Sequence, residues 1–537
     1  MRIENDNDNS NFISFTNRDR LQGELISYRA VLKRQLRTAF PLIGINLANT
    51  MEGFFTGIIL GKVTEEALAA GSLIGSSNLI LSSSIMAPMY ASTILIREAI
   101  GANNHADIAL LWRQSLIIGT ALSSARIIMM KWALQPMLNT ITGRPEVVDL
   151  VQQYYDFYIF GVMLDAWSQA FENFFLGIDK IPLVMCVRYS KLFTFALSAF
   201  MLAQDTCGGR NLGVAGISIA FGIQAFLGLA LYAGCAAYKD EFSQFKLFQT
   251  LFIRNIKHLK RLWNVGWPIG ISSLNGMSSE FVITILTARC SDPALAAREV
   301  SGIYNSLLYQ PTDAISLGTS LLVSESWGEK RLGDAARFGN VGIMMGLISA
   351  LIGTSLFVAM PTQLTSLFVD TDIPANDDLI DLMKITLLMI ALSQLAESTS
   401  TISYRALAGL QDTLVPTILA TSVTWICGLP LAYLLGNESE LGFKGLLVGQ
   451  GSGMFVSSLI LFYRWIKQSR DTAKYAPAQP AIVVDIENDL RVPLLKKESS
   501  YKMTSTHAVG LFHSPKSSPI NNDAVYAANH RDQKISR

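Results

Sequence analysis

The sequence predicts an all-α membrane protein whose twelve transmembrane helices form two repeat-related six-helix bundles. The first reason is composition. Of 537 residues, 50% are hydrophobic and only 16% charged, with a mean hydropathy of +0.33. The second is that apolar runs of about 20 residues recur at short intervals, each long enough to cross about 30 Å of hydrocarbon as a helix. The third is internal repetition. Shifting the chain by 227 positions (268 minus 41) lays Pro41 on Pro268, Ala67-Leu68-Ala69-Ala70 on Ala294-Leu295-Ala296-Ala297, Gly75 on Gly302 and Asn78 on Asn305. The same offset carries Glu98 onto Glu325, Gly101 onto Gly328, Asp107 onto Asp334, Ala109 onto Ala336 and Gly119 onto Gly346. So many coincidences at one offset describe a long unit built twice.

These features also exclude alternatives. Length alone would suggest three or four soluble domains of about 150 residues, but the apolar runs override that prior. A net charge of +1 gives no reason to expect nucleic acid as a partner. Cys186, Cys207, Cys235, Cys290 and Cys427 show no CxxC spacing and read as buried small side chains, with a Cys207–Cys290 link as the alternative. Gly57 to Val63 has the wrong spacing and ending for a nucleotide-binding loop, so an ion gradient is the default energy source.

In chain order, residues 1–37 form a polar cytoplasmic segment containing Asn5-Asp6-Asn7-Asp8, with no cleavable signal expected. Arg29, Lys33, Arg34 and Arg37 precede the first span, and basic flanks stay in the cytoplasm. An N-terminal lobe, 38–238, holds spans at about 39–61, 70–96, 112–134, 150–174, 182–203 and 212–237. A cytoplasmic linker, 239–263, carries Lys239, Lys246, Arg254, Lys257, Lys260 and Arg261. A C-terminal lobe, 264–466, holds spans at about 264–288, 300–323, 338–360, 379–401, 414–435 and 445–466. The loop after the ninth span is acidic (Asp370, Asp372, Asp377, Asp378, Asp381), so loop charges alternate as an even number of spans with both ends inside requires. Six spans per unit give both lobes the same orientation, related by an axis along the membrane normal. The repeat weakens but persists later: Gly177, Asp179 and Pro182 echo Gly409, Asp412 and Pro416 with small slips, and Leu212-Gly213 echoes Leu441-Gly442. Residues 467–537 read as a disordered cytoplasmic tail, within which Arg491-Val492-Pro493-Leu494-Leu495 has the look of a short docking segment.

Mechanism has to be sought in the charges the spans tolerate. An ionisable group near a helix centre costs about 2.5–3.5 kcal/mol on insertion scales, so an intramembrane acid is a functional candidate by default. Glu397 falls twelve residues before Gly409 and Asp165 twelve before Gly177, so each lobe has an acid at the same place. Glu52 and Glu280 lie about three helical turns after Pro41 and Pro268. Desolvation lets such carboxylates gain and lose a proton near working pH. A proton and an organic cation then compete for one negative charge, which is a coupling free energy between two ligands. The competing role is structural: Glu397 and Asp165 bonding to neighbours such as Arg405 or Arg188, and Glu52 and Glu280 making polar contacts between helices. Glu98 and Glu325, ending their helices, read as structural ion pairs; Asp156 and Glu172 read as interfacial. Asp313, two residues after Pro311, is a candidate lining a kinked eighth helix, and Gly57 with Gly61 reads as a close helix contact.

Several segments resemble the multidrug and toxic compound extrusion (MATE) transporters, part of a wider superfamily of multidrug, oligosaccharidyl-lipid and polysaccharide exporters. They are Phe40-Pro41 with Gly61-Lys62 and Glu65 to Gly71, Ser320 to Val323 leading through Gly328-Glu329-Lys330 to Ala335-Ala336, and Ala406 to Pro416 followed by Gly428-Leu429-Pro430-Leu431-Ala432-Tyr433. The resemblance covers roughly residues 38 to 466. It implies a multidrug efflux antiporter, not an enzyme, with no cofactor, exporting small organic cations or drugs in exchange for H+ or Na+ by rocking two lobes. A sodium ion, where that is the coupling ion, would sit at the same carboxylates. The implied setting is a multi-pass protein of the plasma or bacterial inner membrane, monomeric, with the lipid bilayer as its surroundings. Glu397 aligns with the family's acid in the tenth helix. The acids of the first and seventh helices would fall near Thr56 and Gly276, neither acidic, with Glu52 and Glu280 one turn away, and the fifth helix offers Arg188 and Lys191 instead. Coupling is therefore expected in the C-terminal lobe. Cavity aromatics such as Tyr304, Tyr309, Trp425 or Trp167 would add cation–π contact. A lipid-linked or polyisoprenoid flippase of the same superfamily, or a receptor-like pseudo-transporter, are the alternatives.

Overall fold

The computed structural model describes residues 26–61, 65–134, 145–203, 212–243, 245, 247–248, 256–290, 292–366, 377–438 and 441–474. Cys207 of the expected Cys207–Cys290 link, Asp370, Asp372, the 491–495 segment and residues 244, 246 and 249–255 of the 239–263 linker lie outside them.

Among the described residues, twelve long helical runs follow one another. In the first half these are α1 (Tyr28–Gly61), α2 (65–101, with a 3-10 turn at Ala87–Met89), α3 (105–134, closing in a π turn at Met130–Leu134), α4 (Pro145–Gly177), α5 (Ile181–Ala203) and α6 (Gly213–Tyr238). The second half has α7 (Ile256–Ala288), α8 (Asp292–Gly328), α9 (Leu332–Ala359), α10 (Asp377–Gly409), α11 (414–438) and α12 (Phe443–Lys474). α1, α7 and α8 run through Pro41, Pro268 and Pro311 without a break, as spanning helices tolerate when neighbours satisfy the freed groups. α11 alternates α-helix with π-helix at Val423–Gly428 and Leu434–Glu438.

Nine of the helices are long and apolar enough to cross a membrane. The three that miss that standard are α4, α8 and α10, which carry Asp165, Asp313 and Glu397.

Backbone detail repeats with the sequence. The left-handed residues pair across the halves: Asn103 (φ 54°) with Lys330 (60°), Asp179 (65°) with Gln411 (64°), and Gly213 (51°) with Gly442 (53°). Each pair closes or opens the same helix in its half, where a left-handed residue satisfies exposed carbonyls. The α2 end bonds Ala102 N–H to the Glu98 carbonyl and Asn104 N–H to that of Ala99; the α8 end bonds Glu329 to Glu325 and Arg331 to Ser326. Gln411, rather than Asp412, is thus the counterpart of Asp179. Packing need not repeat: Trp112 fills the first half's core against Phe171 at 4.8 Å, whereas Gly339 at the matching position of α9 makes room for Trp465 from α12.

Two expectations are corrected. Cys186 and Cys427 are exposed and Cys235 and Cys290 half-exposed, because a spanning helix can turn apolar side chains outward as well as inward. A Cβ at Gly57 would meet nothing within 4 Å, so that glycine makes no close helix contact.

Candidate functional site

The polar groups that α4, α8 and α10 carry are arranged differently in the two halves. In the first, Asp165 on α4 is buried and lies 3.3 Å from Lys191 Nζ on α5, while Gln169 donates to its other oxygen at 2.9 Å. Gly228 on α6 leaves space for the lysine stem, since a Cβ there would press on Lys191 Cδ. Glu172 is buried beneath Arg188 (2.8 Å) and Tyr232 (3.5 Å). Arg126 donates to Tyr158 Oη at 2.8 Å. Glu52 on α1 accepts a 2.7 Å hydrogen bond from Gln224 on α6, and Thr56 donates to the Glu52 backbone carbonyl at 2.9 Å. Every acid and base in this set has a partner.

In the second half, Glu397 on α10 lies beside Asn305 on α8, with Glu280 the nearest other acid. Among the described residues no arginine or lysine pairs with Glu397. Arg405, the neighbour expected for it, lies instead 3.8 Å from Asp313, which also accepts from Asn46 of α1 at 3.1 Å. Arg188, likewise expected for Asp165, serves Glu172. Glu280 on α7 is half-exposed and bound by Arg298 (2.6 Å) and Gln450 (2.6 Å). Tyr309 lies near Thr401 and near both Asp313 and Glu397. On α8, Arg298, Asn305 and Tyr309 are seven and four residues apart and so share one face. Tyr304 by contrast is buried, donating to the Leu364 carbonyl, and Trp425 and Trp167 donate to Asn275 and Thr120. Of the four aromatics, Tyr309 is the one beside the acids.

The sequence reading singled out the acids but not their partners Asn305, Arg298, Gln224 and Gln450. The repeat contained the signal. Gln224 and Gln450 are spaced like Glu52 and Glu280 to within two residues, so the α1–α6 contact recurs between α7 and α12.

At the end where α1 and α7 begin, the halves cross. Arg34 of α1 holds both oxygens of Glu325 on α8 (2.7 and 2.8 Å), and Arg261 of α7 holds both of Glu98 on α2 (2.7 and 2.6 Å). Arg34 and Arg261 stand 227 positions apart, as do Glu98 and Glu325. Between the pairs the two helices touch. A Cβ at Gly101 would overlap the Glu325 carbonyl oxygen, and one at Gly328 would overlap that of Glu98. Arg97 adds contacts to Glu325 (2.7 Å) and Asp179 (3.2 Å), and Gln411 donates to Glu98 at 2.6 Å.

The MatE family model matches residues 41–203 and 268–434, once in each half. A probable multidrug resistance protein NorM of Pseudomonas aeruginosa is 27% identical over 438 residues, 81% of this chain and 89% of its own length. Its namesake in Deinococcus radiodurans is 28% identical over 458 residues, 84% of this chain and 98% of its own. A MATE crystal structure in the bent conformation superposes with a TM-score of 0.75 at 17% identity, covering 84% of this chain and 100% of that one. An outward-facing multidrug resistance MATE transporter of the MOP superfamily does so at 0.75 and 16%, covering 82% and 96%. The matched fold, its duplication and the acids carried inside it lead to one assignment: the chain is a multi-pass integral membrane protein that belongs to the MatE family of transporters.

Proposed function

We propose that the chain is a secondary active transporter that expels organic cations in exchange for a proton or sodium ion taken up at Glu397. One observation carries this reading: Glu397 is a carboxylate within a spanning helix that has Asn305 beside it but, among the described residues, no paired arginine or lysine, whereas its repeat partner Asp165 is already matched by Lys191. A carboxylate without a fixed counter-charge has to be neutralised by something that comes and goes, and the substrate cation and the coupling ion compete for that place.

Both termini lie in the cytoplasm of a plasma or bacterial inner membrane, with the basic 239–263 segment on that side. The two halves, 38–238 and 264–466, act as lobes. The crossed pairs Arg34–Glu325 and Arg261–Glu98 then hold the cytoplasmic side shut, and parting α2 from α8 opens it. The chain works as a monomer. A flippase would want unmatched cations in its cavity, whereas Arg126, Arg188 and Lys191 are each engaged.

Ethidium efflux from everted vesicles, wild type beside Glu397→Gln under an imposed proton and then a sodium gradient, tests the proposal. Gradient-driven efflux is expected in wild type under one of the two and lost in the variant. A variant that pumps as well as wild type removes Glu397 from the mechanism; a wild type that moves no ethidium under either gradient removes the organic-cation reading.

A further inference from the structure

Arg298 stands where the two halves should match and do not. The run Ala294-Leu295-Ala296-Ala297-Arg298 repeats Ala67-Leu68-Ala69-Ala70-Gly71, so the first half has no side chain at all at this place. There the helix packs closely: a Cβ at Gly71 would overlap Leu60 Cδ1. A guanidinium is therefore not something the helix pairing demands.

Its contacts show where it goes. Arg298 Nη2 lies 2.6 Å from Glu280 Oε2, Nε donates to Thr284 Oγ1 at 3.3 Å, and Nη1 donates to Gln450 Oε1 at 3.3 Å. Gln450 Nε2 donates to the other oxygen of Glu280 at 2.6 Å. α7, α8 and α12 thus hold one cation against one carboxylate. The Arg298 side chain is only 12% exposed, while that of Glu280 is 50% exposed. Two turns further along the same face of α8, Asn305 lies beside Glu397.

We infer that Arg298 is a tethered counter-cation that sets charge specificity: it occupies Glu280 and leaves Glu397, of the three intramembrane acids described in this half (Glu280, Asp313 and Glu397), as the one open to a monovalent organic cation. The inference rests on the proposed role of Glu397 as a cation site. With Asp313 matched by Arg405 and Glu280 by Arg298, a bound monocation brings the set of acids and bases to neutrality. A dication would have to displace the guanidinium to find its second negative charge, or else carry an unmatched charge into the cavity. Either is unfavourable beside the Arg298 guanidinium, which is only 12% exposed and already fills the place next to Glu280. Without the guanidinium, Glu280 becomes a second anionic subsite and the preference should turn toward dications.

Ethidium and propidium share a ring system and differ by one permanent charge, so their affinity ratio reads this effect. Binding of each to the purified full chain, followed by fluorescence, needs no transport. Arg298→Gln is expected to lower the propidium dissociation constant about tenfold or more relative to that of ethidium. Arg298→Lys keeps the wild-type ratio, and Glu280→Gln/Arg298→Gln restores it by deleting both charges. Glu280→Gln alone, which frees the guanidinium, should move the ratio the other way. A folded Arg298→Gln protein with an unchanged ratio overturns the inference. Should that variant not fold, an unchanged ratio in Glu280→Gln does so instead. The underlying reading fails separately: Glu397→Gln would then bind ethidium as well as wild type does, whatever the ratio at Arg298.

Discussion

The acids of the two halves occupy repeat-related places in the backbone and differ in what surrounds them. Asp165 has Lys191 from the next helix; Glu397 has Asn305. Offsets of 232 to 234, taken from Asp179 with Gln411 and Pro182 with Pro416, put the counterpart of Lys191 within Val423 to Trp425, where no base occurs and α11 turns π-helical. Conversely Asn78, the counterpart of Asn305, donates to Tyr154 rather than to an acid. Duplication preserves the carboxylate, but the neighbours decide whether it is a fixed half of an ion pair or a site to be filled. A π-helical turn at such a place accords with the frequency of π-bulges at functional positions.

The largest effect that can break this comparison is on stability. Asp165→Asn leaves Lys191, 3% exposed, buried without its counter-charge, and removing one partner of a buried pair costs about 3–5 kcal/mol. Thermal unfolding of the purified protein should show that loss, with most of it recovered in Asp165→Asn/Lys191→Met. Glu397→Gln, which uncovers no buried base, should unfold close to wild type while losing efflux. Equal unfolding of Asp165→Asn and wild type would mean that the first-half acid is no more committed than the second.

A second difference lies at the crossing of α2 and α8. Arg97 is buried between Glu325 and Asp179, and its counterpart is Ser324, whose hydroxyl donates to the Ile94 carbonyl at 2.5 Å. Glu325 therefore has two arginines and Glu98 has Arg261 with Gln411. Arg97→Met is expected to cost about 3 kcal/mol, as for a buried pair. Arg261→Met should cost about 1 kcal/mol or less, because that side chain is 39% exposed and solvent screens it. Unfolding in detergent measures both, and a reversed order would show that exposure is a poor guide to which crossing pair matters.

How much of this the sequence discloses follows from what repeats. The twelve spans, the duplication and the four acids are visible because apolar runs and a constant offset are one-dimensional signals. Glu98 and Glu325 stand out as ion-pair formers from their positions at helix ends, yet that each pairs with the opposite half depends on the crossing at Gly101 and Gly328. Which base meets which acid is three-dimensional. Arg405 and Arg188, near in sequence to Glu397 and in space to Asp165, go to Asp313 and Glu172 instead. The exposure of Cys186 and Cys427 is hidden from the sequence for a related reason, since a membrane helix can be apolar on its outward face too.

The smallest effect sharpens the comparison between Glu52 and Glu280. Gln224 is buried and is the side chain that donates to Glu52, whereas Glu280 has Arg298 as well as Gln450. Gln224→Leu removes a hydrogen bond to a charged group, worth about 1.5–3 kcal/mol. Gln450→Leu leaves the guanidinium in place and should cost about 1 kcal/mol or less. Unfolding of the two variants side by side, each also in an Arg298→Gln background, separates the contributions. In that background Gln450→Leu should approach the cost of Gln224→Leu, because Glu280 then depends on its glutamine as Glu52 does. A cost that stays small there would mean that solvent, rather than Arg298, satisfies the half-exposed carboxylate.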